Sequence, residues 1–152
     1  MTDLETLYQL SDRIARQDHR FYVKGPGKGD RASIRFIKRV GMRAKARLGS
    51  RVRSEEPVTD ETDLRFDFYL PREGTAVEIA LGLGNPASEW EKDLFKALLA
   101  RHHGKRIRRL VFFTLPRGVK VRNSPSSREE IRYLKSRGIA VEIRQLRGRR
   151  SA

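Results

Sequence analysis

Asp67 and Glu78 are the residue pair whose types and spacing could do chemistry in this chain. Each lies in a short segment with a period of two. Leu64, Phe66, Phe68 and Leu70 alternate with Arg65, Asp67 and Tyr69, and Val77, Ile79 and Leu81 alternate with Glu78, Ala80 and Gly82. Such alternation predicts two strands, and Pro71-Arg72-Glu73-Gly74 predicts the turn of a hairpin between them. If Leu70 pairs with Thr75, Asp67 sits directly opposite Glu78. If the turn is tighter and Arg72 pairs with Thr75, the two acids are diagonal neighbours on the same face. Carboxylates placed this way repel, the more so on a half-buried face. On an exposed face Arg65 and Arg72 could neutralise them. A divalent cation, Mg2+ or Mn2+, would do so as well: magnesium is typically held by one or two carboxylates, with water and substrate phosphate completing its shell. Such an ion polarises a phosphoryl oxygen and lowers the pKa of an attacking water.

The elements around the hairpin follow from periodicity and punctuation. Leu4, Leu7, Leu10 and Ile14 predict a helix over residues 2–17, with Thr2 and Asp3 as start signals. Lys24-Gly25-Pro26-Gly27-Lys28-Gly29 reads as a loop without the spacing of a phosphate-binding P-loop. Asp30 suits the N-cap of a helix over 30–48, whose stripe is Ile34, Ile37, Gly41, Ala44 and Leu48. Residues 51–63 lose all pattern and are acidic. Beyond the hairpin, Trp90, Leu94, Phe95, Leu98 and Leu99 mark a helix over 88–103. A strand is expected over 107–115, a turn at Pro116 and Gly118, a helix over 124–137 and a last strand over 139–143. The expected fold is α/β, with a mixed central β-sheet flanked by helices. The 152 residues suit one domain: an N-terminal helix and Gly-rich loop over 1–29, a core over 30–145 and a frayed basic tail over 146–152.

From residue 30 onward the order α-β-β-α-β-α-β resembles the PD-(D/E)XK, or restriction-endonuclease-like, nuclease superfamily. Asp67 in Phe66-Asp67 matches the first acid of the motif, and Glu78-Ile79-Ala80 matches its second element. The resemblance implies a metal-dependent nuclease hydrolysing phosphodiester bonds, with Asp67, Glu78 and the Ile79 carbonyl as metal ligands. Ala80 departs from the pattern, standing where the family usually carries a lysine that orients water or stabilises developing charge. In some members the following helix supplies that lysine, which makes Lys92 and Lys96 the candidates. At about 100° per residue, Lys92 falls at the margin of the Trp90/Leu94/Leu98 stripe and Lys96 behind it, so Lys92 is expected to complete the catalytic set with Asp67 and Glu78. Glu91 falls inside the stripe and could join the acids, or could simply complement the helix dipole. An inactive nucleic-acid-binding module of the same fold is the alternative that Ala80 keeps open, and an RNA- or ribosome-associated basic protein is a third.

The charge balance points to the partner. Against 34 Lys and Arg stand 19 Asp and Glu, a formal charge of +15, and such a field captures polyanions. No acid occurs between Arg31 and Arg53, whereas solvated helix faces usually mix signs. Arg35, Lys38, Arg39, Arg43 and Arg47 are therefore expected to contact nucleic acid. With few aromatics among the basic residues, the expected partner is duplex DNA held by its backbone, and a homodimer would suit cleavage of two strands. The absence of cysteine removes disulfides, thiolate metal sites and cysteine nucleophiles. The acidic start MTDLETLYQL lacks an apolar run, and no segment approaches a membrane span, so a cytoplasmic protein is expected.

Overall fold

The computed structural model describes residues 1–17, 28–81 and 86–147. Its elements are α1 (Asp3–Gln17), α2 (Lys28–Leu48), a 3-10 turn (Gly49–Arg51), β1 (Arg53–Pro57), β2 (Arg65–Leu70), β3 (Thr75–Ala80), α3 (Pro86–His102), β4 (Arg109–Thr114), α4 (Pro116–Arg122), α5 (Pro125–Ser136) and β5 (Ala140–Gln145). The strands form one mixed sheet in the order β1-β2-β3-β4-β5. The β1–β2 and β2–β3 pairs are antiparallel, and the β3–β4 and β4–β5 pairs are parallel.

Alternation along the strands divides the core into two layers. Phe68, Leu70, Val77, Ile79, Val111 and Phe113 pack with Phe36, Val40, Ala44 and Leu48 of α2 and with Leu4, Leu7 and Ile14 of α1. On the other face Tyr69, Ala76, Leu110 and Phe112 pack with Trp90, Leu94, Ala97 and Ala100 of α3 and Leu134 of α5. Burying a large apolar side chain fully contributes about 1.5–3 kcal/mol, so both layers stabilise the sheet strongly. Ser124 caps α5, accepting the Ser127 N–H at 3.1 Å, with Pro125 at the start of the helix.

Several expectations are corrected. The stretch 51–63 contains β1, whose RSEEP sequence has no apolar alternation. It is an edge strand, paired along one side to β2, and its mostly exposed residues need no apolar face. The Pro116–Gly118 turn is the start of α4, where a Cβ on Gly118 would overlap the Thr114 side chain. Asp30 lies inside α2 rather than capping it, because the helix begins at Lys28. The buried stripe of α2 is Phe36, Val40, Ala44 and Leu48, while Ile34 is exposed. A four-residue step keeps those side chains over the sheet, and Ile34 falls off that row. The expected frayed tail is anchored at its start, and residues 148–152 lie outside the described residues. Leu146 is buried and its N–H donates to the Thr114 carbonyl at 2.8 Å, and the Arg147 N–H donates to Asp12 Oδ1 at 2.7 Å. The Gly-rich loop lies, up to residue 27, outside the described residues.

Candidate active site

The hairpin adopts the wider of the two registers. Leu70 pairs with Thr75, Tyr69 with Ala76 and Phe68 with Val77, so one further step sets Asp67 opposite Glu78. Asp67 Oδ2 accepts the Ile79 N–H at 2.7 Å, which fixes its carboxylate against β3. On the other side, the β1 register brackets Glu55 opposite Asp67, through Ser54 with Phe68 and Glu56 with Phe66. Glu55 has φ 50°, a left-handed conformation rare for a non-glycine residue. Its carbonyl accepts Arg65 Nη1 at 3.0 Å.

Helix α3 covers the acids and delivers a lysine to them. Lys96 Nζ lies 2.5 Å from Glu78 Oε1 and 3.1 Å from Asp93 Oδ1, and it donates to the Arg65 carbonyl at 2.8 Å. Glu78 is 5% exposed and Lys96 6%; Asp67 and Asp93 are half-buried and form the solvent side of the cluster. Two carboxyl groups, Glu78 and Asp93, thus flank one ammonium, with Asp67 opposite Glu78 on the neighbouring strand.

Burial sets the proton affinities. The Glu78 carboxyl is pushed well above the usual range, first by desolvation and then by the Asp67 and Asp93 charges, with Lys96 opposing. Asp67 is also raised by burial, against the pull of the Ile79 N–H and of a hydrogen bond with Glu78. Asp93 is raised by burial against the Lys96 charge. Burial pulls Lys96 downward, but Glu78 and Asp93 outweigh it and leave the ammonium held above its ordinary value.

The structure brings together Asp67, Glu78, the Ile79 backbone and Lys96, but not Lys92. Lys92 is exposed, as is Glu91. The expected stripe was misplaced because it gave weight to Phe95, which is 56% exposed. The buried arc runs instead through Trp90, Leu94, Ala97 and Ala100. On a wheel of about 100° per residue, that arc is centred near Ala97, includes Asp93, has Lys96 just beyond its Ala100 edge and leaves Lys92 on the far side. Asp93 was missed altogether; its spacing of three from Lys96 was the available signal. Ala80 packs its small side chain against the α3 layer, on the same face as Glu78.

The basic face of α2 is real but lies elsewhere. Arg35, Lys38, Arg43 and Arg47 are exposed and Arg39 is half-buried. Their helix covers the sheet face opposite to the one that carries Glu78 and Lys96. A duplex resting on the outer side of α2 would reach the carboxylates by passing round the sheet, not through it.

Among the described residues, no three His, Asp or Glu side chains gather as a ready ligand set for a metal ion. A cation here would rest on two carboxylates, with water and phosphate for the remainder, which is within magnesium's habit. Among the described residues no helix is long and apolar enough to cross a membrane. Comparisons with protein-family models, with curated proteins and with solved structures find no match for the chain.

Proposed function

We propose that the chain is a metal-dependent, DNA-directed phosphodiesterase of the PD-(D/E)XK kind, in which Lys96 takes the place of the lysine missing at position 80. The observation that carries this reading is the convergence of Asp67, Glu78 and Lys96: acids from two adjacent strands and an ammonium from the next helix, with 2.5 Å between Lys96 Nζ and Glu78 Oε1. That is the arrangement the resemblance implies when the helix supplies the lysine. The charge surplus of the cluster also suits a divalent ion.

In this reading Asp67 and Glu78 hold Mg2+ or Mn2+, with the Ile79 carbonyl as a third ligand by resemblance. When bound, the ion supplies Lewis-acid activation of the phosphoryl group and of water. The Ile79 N–H orients the Asp67 carboxylate. Asp93 keeps the Lys96 ammonium in place, where its charge would offset the negative charge that develops on the phosphoryl oxygens. The positive field of the chain concentrates the polyanionic substrate.

A second reading is a nucleic-acid-binding module in which the cluster is a structural ion pair. It is favoured by one observation, the near-complete burial of Glu78 and Lys96. A plasmid-nicking assay with Mg2+ or Mn2+ separates the two. The enzyme reading expects cleavage by the wild type, a loss of about a hundred- to a thousandfold in Lys96→Met, and near-normal cleavage in Lys92→Met, each assayed at a temperature where circular dichroism shows it folded. A wild type inert with both metals yet binding DNA would establish the module instead. Cleavage indifferent to Glu78→Gln would remove the site.

A further inference from the structure

We infer that the groove between α3 and α5 is a docking surface for a second copy of this chain, related by a two-fold axis. The inference is independent of the phosphodiesterase reading. Phe95 and Tyr133 are 56% and 54% exposed, and exposed apolar side chains mark an interaction surface when they lie together rather than singly. They share one surface feature: both line a groove of about 780 Å3 and a neighbouring one of about 400 Å3, together with Leu98. The indole of Trp90 and the side chain of Leu94 lie buried on the same helix, so the sheet's own need for apolar cover is met without Phe95.

Charge identifies the occupant. One end of the groove carries Glu91, Glu129 and Glu130, and the other carries Arg101, His102 and Arg137. On α3 these ends are ten residues apart, about 15 Å of helix. The same polarity complements the helix dipoles, so the charges alone would not require a partner. Around an apolar centre, however, they make the groove self-complementary. A two-fold axis through Phe95 and Tyr133 would set the acidic end of each copy against the basic end of the other, as an isologous contact demands. Elsewhere the chain's net charge of +15 opposes self-association, so two copies should meet where acids and bases are both present. An acidic protein partner would suit the basic end alone and a basic one the acidic end alone.

Sedimentation equilibrium on the full chain, purified free of nucleic acid, tests this. The wild type should dimerise reversibly, and Phe95→Ser/Tyr133→Ser should be monomeric at the same concentrations, with the melting temperature of wild type diluted until it is monomeric, since both side chains are exposed. A second arm holds whatever that variant does to the fold. Glu91→Arg alone and Arg137→Glu alone should each weaken dimerisation at least tenfold, because each then sets like charge against like where position 91 of one copy meets position 137 of the other. Mixed in equal amounts, the two variants should pair with each other. A wild type monomeric throughout would overturn the inference. So would a dimer indifferent to the Phe95 and Tyr133 changes, or charge variants that fail to pair when mixed.

Discussion

Lys96 Nζ and Glu78 Oε1 are 2.5 Å apart under helix α3, and a third group, Asp93, holds the ammonium from its other side. An ion pair this deep is kept by mutual need. Each charge would be costly alone, and their attraction offsets part of a desolvation penalty of several kcal/mol per ion, the remainder showing in the raised Glu78 carboxyl.

Removing one partner should therefore cost more than removing both. Lys96→Met or Glu78→Gln alone should destabilise the metal-free chain by about 3–5 kcal/mol, and Lys96→Met/Glu78→Gln by clearly less than the sum. Urea unfolding of the four proteins in a double-mutant cycle measures this. Additive losses would mean that the pair is not coupled.

The raised carboxyl groups predict an acid-favoured stability. Asp67, Glu78 and Asp93 all have folded pKa values above their ordinary ones. The folded chain then holds protons that the unfolded chain has released. Their stabilising contribution is full below the ordinary carboxyl value of about 4 and is lost as pH rises through the raised values. Lys96 is raised too, so its contribution is full below the ordinary lysine value of about 10.4 and is lost at alkaline pH, outside that window. Between about pH 4 and neutrality, the metal-free wild type should lose more stability than Glu78→Gln. Equal slopes in urea midpoints would contradict the assignment.

Divalent metal should raise the melting temperature by binding the native state in preference to the unfolded one. Asp67→Asn should abolish the rise, and Lys92→Met should leave it intact, because Lys92 faces solvent. Scanning calorimetry with and without Mg2+ or Mn2+ reads both. A full response in Asp67→Asn would put the ion elsewhere.

The two layers should separate binding from the metal response. Substituting Gln for Lys38, Arg43 and Arg47, all exposed on α2, should weaken duplex DNA binding and reduce the salt slope by about 0.9 for each phosphate no longer neutralised. The metal-induced stabilisation should not change, since α2 covers the opposite sheet face. Fluorescence anisotropy over a salt series provides the measurement. An unaltered slope would take α2 out of the interface.

Gly118→Ala should destabilise by about 1–3 kcal/mol, because the new Cβ meets Thr114. Adding Thr114→Ala should recover part of that loss despite the Thr114 Oγ1 bond to the Ala80 carbonyl. Thermal melts of the single and double variants decide it; no recovery would show that the glycine is needed for its backbone alone.

What the sequence by itself determined is whatever is written in local period and punctuation. The alternation around Asp67 and Glu78 marked two strands, and both hairpin registers that the turn permits put the two acids on one face, since they differ by an even number of residues. Ser124-Pro125 marked the start of α5, because a hydroxyl cap and a fixed proline φ act within one turn. Other features depended on neighbours. Strand β1 owes its conformation to the backbone of β2, so its polar sequence carries no alternation. The hairpin register was one of two that the turn permits, and tertiary packing selected the wider. Lys96 depended on tertiary structure most of all. An apolar arc on a helix can be centred in several ways, and Phe95 drew the expected one toward solvent. Close packing of Ala97 and Ala100 under the sheet rotated α3 the other way and carried Lys96, not Lys92, to Glu78.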